Sequence, residues 1–541
     1  MSDSIIDCAL IGDLPAQAAR RFGTRVALEF QGRQWTYSAF SAEVDKLAAS
    51  LQASGIQPGD RVATWTRNCA EAEFLFFAII KAGAIAVPLN TRYRTQDLAY
   101  ALQQSGSVMA IITSRIGPTD ADALMAAALG QVESTQAGRL SATGAPALQQ
   151  LVVMGASAIP GAQDWSGFLA RAKSPAPAAV ALDPDQPALM VYTSGTTGNP
   201  KGVLLNHSGI RLCRAHALSL GLHEDDVQLT YLPLFHTYAL SLCVIGSFLV
   251  GARQILMEAF DAHAALTLTG EKRVTVVHGF DAHFNDFLQA TRRASYDISS
   301  LRVGTLTVGA ESSVALARDV QAHFCPTLSC YGMTEFWGAV TLSALDATLE
   351  QRCEASGMAH PGLEVRIVDP TTRAPAPLGA MGEIQVRGYS RMVGYYANPE
   401  ATTKAFDADG WYRTGDAGML RSDGHLRYLA RYKDILKVGG ENVSPAEVEA
   451  VLCAIHGVRA VAIVGAPHER LQEVPVAFVV TAPDGPADAQ SVIDFCKGKI
   501  ASFKIPRQVF FVDELPMTPT GKVQKEFLRQ RLLAAAPDST R

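Results

Sequence analysis

The sequence predicts an α/β protein, with a large N-terminal domain of mixed sheets flanked by helices (residues 1–430) and a small α+β C-terminal domain (residues 431–541). Three observations predict it. The chain has 541 residues, more than one core of ordinary size sustains, so at least two domains are expected. Its first part alternates helical and strand patterns, which argues for a largely parallel sheet covered by helices. After Gly410 the pattern breaks into turn-rich, shorter elements.

The elements follow in order. Residues 45–53 have helical spacing, and residues 61–65 read as a strand after the turn Pro58-Gly59-Asp60. Residues 71–81 read as a buried helix and 84–87 as a buried strand. Between 135 and 187 the composition shifts to Ala, Pro, Gly and Ser, and Ser174-Pro175-Ala176-Pro177 is a connector. Arg421-Ser422-Asp423-Gly424 reads as a hairpin turn. A helix begins at Ser444, with Pro445 at its first position and Glu447 three residues after the cap, a capping-box pattern. Residues 461–464 and 474–480 are strand-like, and 489–502 helical.

Composition narrows the function. Apolar residues make up 48% and charged residues 18%, with a formal net charge of -5, as in an ordinary globular enzyme. No basic stripe suggests a nucleic-acid partner. Nine cysteines are scattered singly, which reads as reduced thiols in a cytoplasmic protein. The N-terminus has no signal-peptide core. The apolar stretches 74–89 and 238–252 fall short of the roughly 20 residues that cross a bilayer, so no transmembrane segment is expected. A homodimer is compatible with the sequence but not required by it.

The strongest local signal is Tyr192-Thr193-Ser194-Gly195-Thr196-Thr197-Gly198-Asn199-Pro200-Lys201-Gly202, after the apolar run 188–191. Glycines free the backbone, while hydroxyls, N–H groups and Lys201 offer a polyphosphate cradle. It is not a Walker A loop, because Lys201 is not followed by Ser or Thr. The string resembles the signature loop of the adenylate-forming superfamily, which includes acyl-CoA synthetases, firefly-type luciferases and the adenylation domains of peptide synthetases.

The resemblance recurs in order over nearly the whole chain. Tyr331-Gly332-Met333-Thr334-Glu335 is similar to the second ATP motif, which implies Thr334 on the α-phosphate and Glu335 on Mg²⁺, a hard cation suited to a carboxylate. Gly309-Ala310-Glu311 resembles the segment lying along the adenine, with Val308 where the family often has Gly. Tyr412-Arg413-Thr414-Gly415-Asp416 is similar to the third motif, whose Asp accepts from both ribose hydroxyls. Arg431 matches the basic residue that closes over ribose and phosphate, with Ala430 in place of the usual Gly. Lys433 falls at the family's hinge. Lys437 and Gly439-Gly440-Glu441 resemble the segment lining the coenzyme A tunnel. Pro516-Met517-Thr518-Pro519-Thr520-Gly521-Lys522 resembles the motif of the catalytic lysine, which is Lys522 by position.

The resemblance implies a mobile C-terminal domain and two steps. A carboxylate attacks the α-phosphorus of ATP to give acyl-AMP and pyrophosphate; after domain rotation the thiol of coenzyme A takes the acyl group and AMP leaves. Positioning and charge neutralisation are the protein's share. The sequence ends soon after the lysine motif, so free coenzyme A is expected as acceptor rather than a carrier domain. In Leu232-Pro233-Leu234-Phe235-His236-Thr237-Tyr238, His236 resembles the aromatic gate of acyl-CoA synthetases and stands near the place where amino-acid activators carry Asp. Val277, His278, Gly279 and Gly338 are expected to line the acyl pocket. The two glycines remove side-chain volume, which favours a bulky or elongated acid: fatty, aromatic, or alicyclic including sterol-derived. A luciferase-like oxygenase or a non-catalytic adenylate-binding protein would share these motifs.

Overall fold

The computed structural model describes residues 5–135, 139–172, 174, 176–193, 199–308, 311–439, 441–483, 485–486, 488–517 and 523–535. A nine-stranded sheet is built on six parallel strands, in the order Val26–Phe30, Arg253–Leu256, Val227–Thr230, Val276–Gly279, Val303–Thr307 and Thr327–Met333. Antiparallel strands close both of its edges. An eight-stranded mixed sheet contains Arg61–Trp65, Ile85–Pro88 and the hairpin Pro187–Thr193/Lys201–Asn206. A four-stranded antiparallel sheet ends with Leu426–Arg431, and a five-stranded sheet begins at Leu436–Val438. The architecture is thus mixed α/β, with a large N-terminal part and a smaller C-terminal one.

Most predicted elements form with shifted ends. The strand at Arg61–Trp65 matches its expected span, and the helix expected over 71–81 is Ala70–Lys81. The hairpin turn forms at 421–424, with Gly424 at φ 85. The helix at Pro445–Cys453 starts as expected, but Ser444 makes no side-chain capping bond, and Glu447 Oε1 instead accepts from Lys504 Nζ at 2.5 Å. An ion pair to a distant element has replaced the local cap. The helix expected over 489–502 stops at Cys496, because Lys497 is extended and Gly498 takes φ 74, a conformation that ends helices. Among the described residues no helix is long and apolar enough to cross a membrane. The stretch 238–252 folds as a π-helical segment, Ala239–Ile245, followed by the α-helix Gly246–Val250.

The helix Ala70–Lys81 is buried on almost every side. It carries one acid into the core. Glu73 is 1% exposed, its Oε2 lies 3.4 Å from Gln254 Nε2, and its Oε1 has no partner among the described residues. Burial pushes this carboxyl up to about 8 from the usual 4.5. The folded state therefore holds a proton that the unfolded chain releases. The stability so gained is complete below pH 4.5 and is lost as pH rises to about 8. Glu73→Gln removes that loss and is expected to stabilise the protein at pH 8.5 by on the order of 4 kcal/mol, with little gain at pH 4.5. Thermal melts at the two pH values check it; an equal change at both would sink the assignment.

Candidate active site

Parallel strands end together at one edge, and the loops leaving that edge can converge. In the nine-stranded sheet Gly279 pairs with Leu306 and Thr307 with Cys330, so the carboxyl ends of three neighbouring strands lie in line. The segments with His236, Phe280, Val308 and Thr334–Glu335 all leave from this edge. The phosphate-loop motif joins it from the other large sheet. Thr193 and Lys201 face each other at the tip of an antiparallel hairpin. Ser194, Gly195, Thr196, Thr197 and Gly198 between them lie outside the described residues, as do Gly309, Ala310, Gly440 and Lys522. Glu311 opens the helix Glu311–His323.

One aromatic residue, absent from every motif, joins two of them. The Tyr395 hydroxyl donates to Glu335 Oε1 at 2.9 Å, and Lys201 Nζ sits 4.7 Å from the centre of the Tyr395 ring. Tyr395 lies 60 residues beyond Glu335, and nothing in the string Gly394-Tyr395-Tyr396 marks it as part of the site. Glu335 is buried, in the 3-10 turn Thr334–Phe336 that follows the sheet. Gly332 permits this turn: a Cβ there would lie 2.0 Å from the carbonyl oxygen of Gly338.

The second cluster is ionic. Asp416 is 5% exposed; its Oδ2 accepts from the Tyr331 hydroxyl at 2.6 Å and its Oδ1 pairs with Arg431 Nε at 2.9 Å. Arg431 also donates to the Thr414 carbonyl at 3.0 Å. Burial opposes the Arg431 charge, but Asp416 together with Tyr331, Tyr428 and Tyr412 outweighs it and raises the guanidinium above its ordinary range. Tyr331 stacks on Tyr428 at 5.8 Å. The motifs at 331–335 and 412–416 thus meet through side chains 85 residues apart.

The residues expected around the acyl group divide. His236 is half-buried, with its ring 4.5 Å from Phe235. Phe280 is 40% exposed and packs on Tyr238 at 5.1 Å. Val277 and His278 are buried. His278 belongs to a directed chain. Gln228 Nε2 donates to Ser247 Oγ at 2.8 Å, which turns Oε1 towards His278 Nε2–H at 2.9 Å. His278 Nδ1 then accepts from the Thr305 hydroxyl at 2.8 Å, and Thr305 accepts from the Tyr238 hydroxyl at 2.6 Å. Burial pushes His278 down to about 3. The space beside Gly279 is not open: a Cβ there would lie 3.0 Å from the Phe284 ring. Gly338 has φ 123, and its Cβ would lie 3.1 Å from Ser241 Oγ. Both glycines admit neighbouring side chains.

In the C-terminal part, Lys437 and Glu441 are exposed on the hairpin Leu436–Val438/Glu441–Val443. Gly439, at φ 60, begins its turn and donates to the Leu471 carbonyl at 2.8 Å. Lys433 is exposed in the 3-10 turn Tyr432–Asp434, between the four- and five-stranded sheets.

Comparison with known proteins agrees with this arrangement. The family model of the AMP-binding enzyme matches residues 15–396, and that of the AMP-binding enzyme C-terminal domain matches 447–522. The chain is 36% identical over 524 residues to the 3-[(3aS,4S,7aS)-7a-methyl-1,5-dioxo-octahydro-1H-inden-4-yl]propanoyl:CoA ligase of Rhodococcus jostii (strain RHA1), covering 95% of this chain and 97% of that one. It is 34% identical over 523 residues to the feruloyl-CoA synthase of Amycolatopsis sp, covering 96% and 99%. The solved structure of the anthranilate CoA ligase AuaEII in complex with anthranoyl-AMP superposes with a TM-score of 0.86 at 26% identity, covering 99% of each chain. The chain belongs to the AMP-binding enzyme family and is an adenylate-forming acyl-CoA synthetase.

Proposed function

We propose that the acid activated is bulky or elongated, and that the residues named above divide the reaction between them. The observation that carries the division is the meeting of Lys201, Glu335, Tyr331, Asp416 and Arg431 through Tyr395 and the Asp416 carboxylate. ATP spans these clusters: Thr193 to Lys201 hold the β- and γ-phosphates, Thr334 the α-phosphate, Asp416 the ribose, and Gly309, Ala310, Glu311, Tyr331 and Gly332 the adenine side. The acid's carboxylate oxygen attacks the α-phosphorus, the bond to the bridging oxygen breaks, and pyrophosphate leaves. Lys522 and Arg431 offset the negative charge that gathers on the α-phosphate oxygens. In the second step the thiol of coenzyme A releases its proton to solvent, its sulfur attacks the acyl carbonyl, and the bond from that carbon to the AMP phosphate oxygen breaks. AMP leaves as the thioester forms. Lys433 is the pivot between the two steps, and Lys437, Gly439, Gly440 and Glu441 line the path of the pantetheine arm.

Mg²⁺ fits the donor set. Among the described residues no three metal-ligating side chains gather, and Mg²⁺ is ordinarily held by one or two carboxylates completed by phosphates and water. Glu335 would hold it, and the ion would neutralise phosphate charge. A cytoplasmic location is supported by nine free thiols.

The large acid is supported by the exposed Phe280 packed on Tyr238, and by relatives named for a bicyclic and an aromatic acid. Pyrophosphate release is measured with acetate, decanoate, ferulate and the bicyclic dioxo-indenyl propanoate. The expected result is acetate at least about tenfold below the best of the other three in kcat/KM. Acetate as the best substrate would overturn the large-acid reading, and no release with any acid would overturn the division of roles.

A further inference from the structure

We propose that Asn68 is a positioning residue for the acid, setting the depth of the loop that carries His236. Asn68 precedes the buried helix Ala70–Lys81, far in sequence from the loop, yet its amide is committed to it. Its Nδ2 donates to the Leu232 carbonyl at 3.0 Å and to the Met257 carbonyl at 3.2 Å. Its Oδ1 accepts from Leu234 N–H at 3.1 Å. Three bonds of both polarities, made by a side chain 7% exposed, fix position in a way that apolar packing does not. The neighbouring Arg67 pairs with Glu258, the residue after Met257, at 2.8 Å, which fixes Asn68 against that second segment.

What lies behind the loop makes this tie matter. Leu234 and Phe235 border a cavity of about 20 Å³ shared with Thr64, Glu73, Phe76 and Leu89. The loop's inner side is therefore incompletely packed. Within the loop, His236 N–H bonds back to the Pro233 carbonyl at 3.1 Å and the His236 carbonyl accepts from Leu240 N–H at 3.2 Å, Leu240 being a further residue that borders the cavity. Asn68 thus holds the segment off the cavity. Without it Leu234 and Phe235 can sink inwards and draw His236 with them, and a shift on the order of 1 Å is enough to misplace the acid.

The inference rests on the reading of His236 as a wall of the acid site, and the experiment separates the two. Asn68→Asp keeps the shape and the acceptor but loses both donated bonds; Asn68→Ala loses all three. Each is assayed with decanoate and with ferulate, its concentration set by the single-turnover burst of pyrophosphate so that misfolded protein is not counted. KM for the acid is expected to rise about tenfold or more in Asn68→Asp, with KM for ATP within about twofold of the parent. Equal rises in both KM values, or an unchanged acid KM in folded Asn68→Asp, would overturn the proposal. His236→Ala is the control. If it shifts the acid KM while Asn68→Asp does not, only the Asn68 role falls. If neither shifts it, the reading of the loop falls with it.

Discussion

Lys522→Ala is expected to lower the rate of acyl-adenylate formation by about 10²–10³-fold, the usual cost of removing a group that stabilises charge in the transition state. Transfer of the acyl group from supplied acyl-AMP to coenzyme A is expected to stay within about threefold. The asymmetry follows from the charge balance. Negative charge gathers on the α-phosphate only while two anions, the carboxylate and ATP, are brought together. In the thioester step a thiol meets a mixed anhydride, and the lysine has no comparable charge to offset. ATP–pyrophosphate exchange reports the first step, and thioester formation from synthetic acyl-AMP the second. Equal loss in both would remove Lys522 from the role proposed for it. The same outcome would undo the expectation that the small domain presents different residues in the two steps.

The second large effect is on stability at acid pH. Four buried histidines are held in the neutral form: His278 and His360 at about 3, and His207 and His216 at about 4, each pushed down from 6.5 chiefly by burial. Their surroundings explain why protonation is resisted. His278 lies in the directed chain already described, where Nδ1 must accept. His216 Nε2 lies 2.7 Å from the Ala339 carbonyl and so carries the hydrogen, leaving Nδ1 as a bare acceptor, and its ring centre is 5.0 Å from that of His360. A second charge there would face the first. The unfolded chain takes up these protons near 6.5, so the stabilisation is complete above that pH and is lost as pH falls towards 4 and then 3. Each group contributes on the order of 3 kcal/mol at neutral pH, a large share of the stability of any domain. Cooperative unfolding between pH 5 and 4 is the expected result, with uptake of more than one proton in the transition. His278→Gln, which keeps a hydrogen-bonding side chain, should flatten the acid limb. An acid limb unchanged in slope by that substitution would contradict the account.

The parts of the site legible in the sequence are those that contiguous strings build. A loop that wraps a phosphate draws on its own backbone, so the residues proposed for that role, Thr193 to Lys201, stand adjacent in the sequence, as do Tyr331 to Glu335. The joints between strings were not legible. Tyr395 serves Glu335 and Lys201 from a third segment, and Asn68 holds a loop 164 residues away. Each is an ordinary residue whose meaning comes from the close approach of two sheets. The glycines show the opposite error. Gly279 suggests empty volume when read as a missing side chain, but Phe284 from the next helix occupies that volume. Local strength also misled at Ser444, where the capping pattern gave way to an ion pair with Lys504, a partner that only the folded C-terminal domain supplies.

The bond between Asp416 and Arg431 has a thermodynamic corollary. Arg431 is the last residue of the four-stranded sheet, two positions before Lys433, so the carboxylate proposed to meet the ribose also moors the root of the domain proposed to move. A nucleotide that draws on Asp416 competes with that mooring, and a domain that swings away returns Asp416 to the nucleotide. Occupancy and orientation are then linked variables, and linkage is reciprocal: whatever nucleotide does to the domain's preference, the domain does equally to nucleotide affinity. In the proposed cycle, departure of AMP and return of the domain to its first orientation are one coupled event, linked through the Asp416–Arg431 ion pair.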